Sequence, residues 1–488
     1  MTGDSSQLRR AIYWVMAIIT LSATTGRILN AELVYEPSAH RAEDGSSPPA
    51  TTREWPRSRP KPMPTFSSND RSRWAAVRAL VDDHTFVIGQ GTFDPGLARY
   101  RGGKGYETGI IDEDGWKTID KVMHPETGAF YSTKPPLLTV VAAGEYWFLK
   151  QLFGWSIQQH TDRVVKTILF TINVIPLAIF LALFASLLER FAVSDYGKLF
   201  VFATACFGTF LPTFAVTLNN HTPAAFTALL AVYALLRTNQ EPSSLWAAVS
   251  GFAAGLTASL ELPAFSLAAM VGMVFLVRWW RRLFIFVPLM VTPIAVQLIL
   301  NYVAIGEWTP VYSRFGTPWY EYPGSHWVKP DVGVVKHGID WARMHESRLA
   351  YAFHVLIGHH GLFSLTPVWF LSLAGVVGRG RGWYRQSGPI WLYLVTALVS
   401  VAVIGFYLVK SDNYGGWTSG LRWLFWLTPL NLLVMIPAAD AWMARHWGRI
   451  VALTFLAVSV LSAAYPSANP WRHPWIYRWL ESQGIVQY

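Results

Sequence analysis

Asp70, Lys134 and Arg422 are the side chains in this 488-residue chain best suited to handle a phosphorylated substrate. Asp70 stands in Asn69-Asp70-Arg71-Ser72-Arg73-Trp74-Ala75, in the first turn of an expected helix, where the helix dipole favours the ionised carboxylate. Such a group can take a proton from an acceptor hydroxyl or hold a divalent cation. Lys134 lies in Tyr131-Ser132-Thr133-Lys134-Pro135-Pro136-Leu137, just before two prolines that stiffen the backbone ahead of an apolar helix. Its ammonium can pair with a lipid phosphate and offset charge that builds on a phosphate leaving group. The plainer reading is a snorkelling lysine at a membrane boundary. Tyr131 is a neighbour for the sugar or the phosphate. Arg422 closes the run from Asp412 to Trp423, whose Gly415 and Gly416 let backbone N–H groups approach an anion. Its guanidinium can clamp a phosphate through two parallel donors, and Tyr414 stands in the same loop.

The elements that carry these residues are set by composition. The chain is 52% hydrophobic and 15% aromatic, with 14% charged residues against about 25% in an average soluble domain. Apolar runs of roughly 17–25 residues recur, long enough to cross a bilayer as helices. The net charge of +10 lies largely in short loops between these runs, where basic residues set orientation, so it carries no nucleic-acid signal. The single cysteine, Cys206, excludes an intramolecular disulfide and a cysteine metal cluster. The spans expected are 11–30, 164–188, 197–216, 222–237, 245–261, 262–278, 283–304, 361–378, 389–409, 421–440 and 449–466. With a retained first helix and the N-terminus inside, the basic connectors at 189–198, Arg237, 278–282, 379–385 and 445–449 all fall inside. This parity holds only if Pro135 to Trp155 lies on the membrane as an interfacial helix.

The expected organisation is an all-α polytopic membrane protein with about 11 transmembrane helices. Residues 1–30 form the cytoplasmic N-terminus and first span, and residues 31–66 a flexible linker rich in Pro, Ser and Arg. A catalytic outer loop with juxtamembrane helices covers 67–163 and a second outer loop 305–360. Helices 2–7 take 164–304, helices 8–11 take 361–466, and an outer tail takes 467–488. Ser67-Ser68-Asn69 can cap a helix whose Trp74, Val77 and Val81 share one face.

That topology puts further polar groups at the outer ends of spans. Asn220 and His221, in Asn219-Asn220-His221, either line a cavity there or cap the following helix. Glu261 sits close to the apolar layer, where a carboxylate needs a reason, such as substrate hydroxyls, a metal or an ion pair. Asp112, Glu113, Asp114 and Asp120 read first as a solvated acidic loop. His354, His359 and His360 have no acidic residue at the spacing of a zinc helix, so packing or substrate contact is expected of them. No cofactor is certain; a divalent cation is compatible with the acidic residues.

Taken together, the motifs resemble the GT-C superfamily of integral membrane glycosyltransferases. The likeness is to the branch of protein O-mannosyltransferases (dolichyl-phosphate-mannose dependent) and lipid A aminoarabinose transferases. It rests on Asp70 with Arg73-Trp74-Ala75, and on the Tyr-x-x-Lys-Pro-Pro-Leu motif from Tyr131 to Leu137, over residues 67–265. The resemblance implies a polyprenyl-phosphate sugar donor, an active site on the periplasmic or extracytoplasmic face of the inner (plasma) membrane, and inversion at the sugar carbon. It makes Asp70 the base or acceptor-orienting residue and Lys134 a donor-phosphate contact. Three positions depart from the pattern. Asn69 precedes Asp70 where relatives carry a second acid, Thr133 replaces a Glu before the lysine, and Asn219-Asn220-His221 stands where an Asp is common.

The expected activity is sugar transfer (hexosyl or pentosyl) from a lipid-phosphate donor to a hydroxyl on a protein, lipid or glycan of the cell envelope. Asp70 is the catalytic residue. Lys134, Arg422 and Tyr131 bind the donor phosphate, and Arg73, His221, Asn220, Glu261 and Tyr414 the substrate. Two alternatives remain open: a transporter or flippase for lipid-linked glycans, and a non-catalytic scaffold of an envelope-polysaccharide complex.

Overall fold

The computed structural model describes residues 2–31, 40–41, 53–54, 67–92, 106–113, 115–313, 316–322, 324–327, 346–382, 388–411, 413–467 and 469–486. The linker expected over 31–66 falls almost wholly outside them, as does 328–345 of the second outer loop. The order of helices is α1 (Thr2–Leu29), α2 (Ser68–Asp82), α3 (Pro136–Phe153), α4 (Thr161–Leu169), α5 (Ile175–Phe191), α6 (Asp195–Phe207), α7 (Leu211–Phe214), α8 (His221–Gln240) and α9 (Ser244–Leu260). There follow α10 (Phe265–Ile305), α11 (Arg348–Leu356), α12 (Leu362–Leu365), α13 (Trp369–Gly380), α14 (Ile390–Lys410), α15 (Thr428–Met443), α16 (His446–Ala464) and α17 (Trp475–Ser482).

Seven helical stretches among the described residues are long and apolar enough to cross a membrane. They are Ser5–Leu29, Thr161–Phe191, Asp195–Phe214, Leu262–Ile305, Ile390–Lys410, Arg422–Met443 and His446–Ala464. The protein is thus a polytopic, mainly α-helical membrane protein. The stretch Leu262–Ile305 has 44 residues, which as one straight helix would run about 66 Å, twice the bilayer core. It does not run straight. Trp279 leaves helical geometry at φ −146°, ψ 52°, inside Arg278-Trp279-Trp280-Arg281-Arg282. Phe275 and Phe286 stack at 4.8 Å across the bend, so the chain folds back on itself there.

Close backbone approach fixes the neighbouring helix. Gly251 and Gly255 lie one turn apart on α9, and a Cβ at either would strike the carbonyl oxygen of Phe286 or Met290 on α10. Small residues at four-residue spacing let two membrane helices pack backbone to backbone. Gly375 on α13 stands against the Val434 carbonyl of α15 in the same way.

The first outer region is not purely helical. It holds a four-stranded antiparallel sheet of β3 (Gly89–Thr92), β4 (Tyr106–Thr108), β5 (Lys121–Met123) and β6 (Ala129–Ser132), in the order β4-β3-β6-β5. The pair β1 (His40–Arg41) and β2 (Arg53–Glu54) is parallel. Val122 pairs Tyr131 and Lys121 pairs Ser132, which fixes the faces of β6. Ser132 turns toward α2, where its hydroxyl meets Ser72 at 2.7 Å. Alternation along a strand sends Tyr131 to the opposite face, against Trp319 at 6.4 Å. Helix α2 starts where the Ser67 hydroxyl accepts from the Asp70 N–H, and it is enclosed on all sides: Arg71, Arg73 and Arg78 are buried with Trp74 and Val77. Helix α3 begins on Pro135-Pro136 and stops at Gly154, which takes the left-handed conformation. Its outer face leaves Val141, Trp147, Phe148, Leu152 and Phe153 exposed.

Candidate functional site

Three chain segments meet at the Asp70 carboxylate: the start of α2, the turn before α8 and the segment after α16. Helix α2 supplies Asp70 and Arg73. The Asp70 carboxylate is fully buried and accepts from Ser67 Oγ at 2.6 Å, the Leu218 backbone N–H at 2.6 Å and Trp471 Nε1 at 2.9 Å. Burial pushes its pKa up to about 6, and the donors of Ser67, Leu218 and Trp471 with the Arg73 charge keep it from rising further. Near neutral pH it is therefore ionised, but only just: a base of useful strength.

The Leu218 donor is held in place from below. Between α4 and α5 the helix opens into a π-turn at Phe170–Val174. Its Asn173, fully buried, donates to the carbonyls of Ala215 (2.8 Å) and Thr217 (3.0 Å). The next N–H in the chain is the one on Asp70. Asn219 Oδ1 accepts from Thr222 N at 2.9 Å and closes the first turn of α8. Of the roles expected of this tripeptide, the contacts here give capping to one member. Asn219 caps, while Asn220 and His221 face Glu261.

Asn220 links two charges. Its Oδ1 accepts from Arg73 Nη2 at 2.6 Å, and its Nδ2 donates to Glu261 Oε1 at 2.7 Å and to the Leu260 carbonyl at 2.8 Å. His221 Nδ1 contacts the same Glu261 oxygen. Glu261 is thus a buried hydrogen-bond partner of Asn220 and His221 at the end of α9.

The loop after β6 brings Lys134 to Asp120, Nζ to Oδ1 at 2.6 Å. The acidic cluster expected at 112–120 is therefore not one solvated loop. Asp120 is buried against Lys134, Glu113 pairs with Arg78 at 2.6 Å, and Asp114 lies outside the described residues. Asp120 is buried immediately ahead of β5, where a carboxylate is held only with a cation beside it. Burial alone would raise the Asp120 pKa; Lys134, with Arg422 and Arg73 beyond it, more than offsets this and holds it below the usual value. Lys134 itself is lowered to about 8 by burial, against the pull of Asp120 and with help from the Arg73 and Arg422 charges. Arg73 is lowered to about 10, again chiefly by burial. Those mutual effects place three cations, Arg73, Lys134 and Arg422, in one electrostatic neighbourhood.

Arg422 starts the short 3-10 helix Arg422–Leu427 and lies over the indole of Trp471 at 4.8 Å. Trp471, the donor to Asp70, comes from the segment after α16. No motif marked it. The only signal was the density of aromatics in a tail read as external: Trp471, Trp475, Tyr477 and Trp479.

An apolar cavity of about 230 Å³ lies behind this site, between α13, α14, α15 and the Arg422–Leu427 turn. Phe210 and Phe425 form part of its wall. Phe425 also meets Phe214 at 5.0 Å, and Phe214 meets Trp471 at 5.6 Å. The cavity wall is thus two ring contacts from the Asp70 donor.

Two residues expected at the site are elsewhere. Tyr131 packs on Trp319, as its strand face dictates. Tyr414 is buried and donates to Glu346 Oε2 at 2.5 Å. There the expectation for the histidines also changes. Glu346, His354 and His359 each bring a ligand atom within 4.8 Å of the others, a plausible divalent-cation cluster. The acidic partner comes not at a helical spacing but from Glu346, just ahead of the α11 cap Ser347.

No family model matches the chain, and no curated protein matches it. Among solved structures it is similar to ArnT from Cupriavidus metallidurans in the apo state, at 15% identity and a TM-score of 0.45, over 83% of this chain and 61% of that one. Against ArnT from the same organism bound to undecaprenyl phosphate, identity is 14% and the TM-score 0.47, over 94% of this chain and 64% of that one. The chain spans less than two thirds of the ArnT length in both.

Proposed function

We propose that this protein is a membrane glycosyltransferase that moves a sugar from a polyprenyl-phosphate donor to an acceptor hydroxyl. The observation that carries the reading is a buried carboxylate, Asp70, held by Ser67, Leu218 and Trp471 beside Arg73, with Lys134 and Arg422 close enough to feel the Arg73 charge. Sugar transfer from a phosphate needs both: a base for the hydroxyl and positive charge for the departing phosphate. The apolar cavity behind Phe425 offers room for the first part of a lipid tail.

In this reaction the acceptor oxygen attacks the anomeric carbon from the side opposite the phosphate, and Asp70 takes its proton. The bond between that carbon and the phosphate oxygen breaks, the electron pair leaves with the phosphate, and the configuration inverts. Lys134 uses one of its three N–H donors on Asp120 and has two to offer a phosphate oxygen. Arg422 supplies further positive charge, and Asn220 holds Arg73 toward the same space. We assign Glu261 and His221 to substrate contact on the side of α8. We place eleven crossings in this reading, by adding α8, α9, both arms of α10 and α13 to the other apolar helices. Helix α3 then rests on the membrane surface, its exposed Trp147 and Phe148 in the interfacial layer. The site then faces outward from the inner membrane.

The test uses protein in nanodiscs, a panel of polyprenyl-phosphate sugars and a membrane extract as acceptor source. Release of polyprenyl phosphate from one donor is the expected result. Release from none, with the protein folded, refutes the reading.

A further inference from the structure

Four imidazoles gather outside the Asp70 site. His354, on α11, stacks on His359 with centroids 3.9 Å apart. His359 Nδ1 meets His360 Nδ1 at 2.5 Å, and His360 packs edge-on to His473 at 5.7 Å. Tyr414 lies flat on His360 at 4.6 Å and donates its hydroxyl to Glu346. His359 and His360 are fully buried.

A buried group of histidines is costly unless each ring nitrogen has a use. His354 Nδ1 is buried with no hydrogen-bond partner among the described residues. Gly358 is what admits it: a Cβ at that position would collide with this nitrogen. A carboxylate stands at the same spot, with Glu346, His354 and His359 ligand atoms inside 4.8 Å.

We propose that Glu346, His354 and His359 bind one zinc-class divalent transition-metal ion, and that this ion locks the end of the second outer loop around Glu346, the carboxylate that holds Tyr414 of the loop leading to Arg422. Two imidazoles and one carboxylate suit zinc over magnesium or calcium, which take oxygen donors. Ligands at about 2.0–2.2 Å from zinc sit roughly 3.4 Å from each other, so these groups need to draw in by about an ångström. The surroundings hold the ligands in place, as metal sites require. Tyr414 orients the Glu346 carboxylate, and His360 fixes how His359 carries its proton.

The site joins elements that reach the Asp70 cluster. Arg348 donates to the Ser411 carbonyl at 2.5 Å and Tyr351 to the Asn413 carbonyl at 2.9 Å, along the same seam. Gly415, next to Tyr414, lies beside the Arg422 guanidinium. Ser419 N donates to the Pro470 carbonyl at 3.0 Å, one residue before Trp471. An ion at Glu346 therefore tightens the loop before Arg422 and, through it, the segment that bears the Asp70 donor.

The inference does not depend on the transferase reading, because its test reads binding and not turnover. Full-length protein in detergent is stripped with chelator and titrated with Zn2+ and Co2+. The expected result is stoichiometric uptake, a visible absorption band for the Co2+ form, and a raised thermal midpoint. In Glu346→Gln and His354→Gln the affinity falls at least about tenfold and the rise in midpoint is lost. His446→Ala, on the far side of the bundle, keeps both. A chain that takes up no stoichiometric metal overturns the proposal. So does uptake that is unchanged in a folded Glu346→Gln, His354→Gln double variant, with folding checked by circular dichroism and gel filtration.

Discussion

Trp471→Phe isolates what the C-terminal segment does for catalysis. Phenylalanine keeps an aromatic ring against Phe214 and under Arg422 but removes the N–H that reaches Asp70 Oδ2 at 2.9 Å. A hydrogen bond to a charged group contributes about 1.5–3 kcal/mol, and it favours only the ionised carboxylate. At 1.36 kcal/mol per unit, its loss raises the Asp70 pKa by about 1–2 units, from about 6 to about 7–8. The direction is fixed: less carboxylate at any given pH below the new value. The acid limb of kcat/KM against pH, which reports the free enzyme, moves up by the same amount. With the basic limb near 8, the value at pH 7 falls about two- to tenfold and the optimum narrows toward pH 8. The assay is release of polyprenyl phosphate from pH 5 to pH 9. An acid limb that stays near 6, or an equal loss at every pH, refutes the reasoning.

Three further outcomes follow from other contacts. Lys134→Arg removes the basic limb near pH 8, because a guanidinium stays charged there, while Lys134→Ala loses activity across the range; both are read from the same profiles. Asn173→Ala frees the carbonyls of Ala215 and Thr217, so kcat falls several-fold with donor KM little changed, in a steady-state comparison with wild type. Gly255→Val drives a side chain into the Met290 carbonyl and lowers the thermal midpoint, at a cost of about 1–3 kcal/mol or more.

The seven long apolar helices were legible because apolar length is a property of the local sequence. The fold-back at Trp279 was legible too: the basic run Arg278 to Arg282 separates two apolar arms, and it is there that helical geometry breaks. The sheet was not, since β3 reads Gly-Gln-Gly-Thr and no strand among the described residues exceeds four residues. Strands this short take their shape from neighbours. The Gly251 and Gly255 pair carries a readable signal, a four-residue spacing of small residues. Within the site, Asp70 and Lys134 stood out because their motifs are local. Their partners did not. Asp120 looked like one acid among four, and only the turn of β6 brings Lys134 to it. Trp471 lies 401 residues from Asp70, and Glu346 comes ahead of its histidines at no helical spacing. Such pairs are set by the packing of distant elements, which residue types alone do not encode.

The central claim is that Asp70 takes the acceptor proton during sugar transfer. It is tested most directly by the single-turnover rate of polyprenyl phosphate release, with saturating donor bound, in wild type and in Asp70→Asn. Removing a general base costs about 10²–10⁴ in rate, so a drop in that range with donor affinity unchanged is the predicted result. A rate in Asp70→Asn equal to wild type would contradict the account.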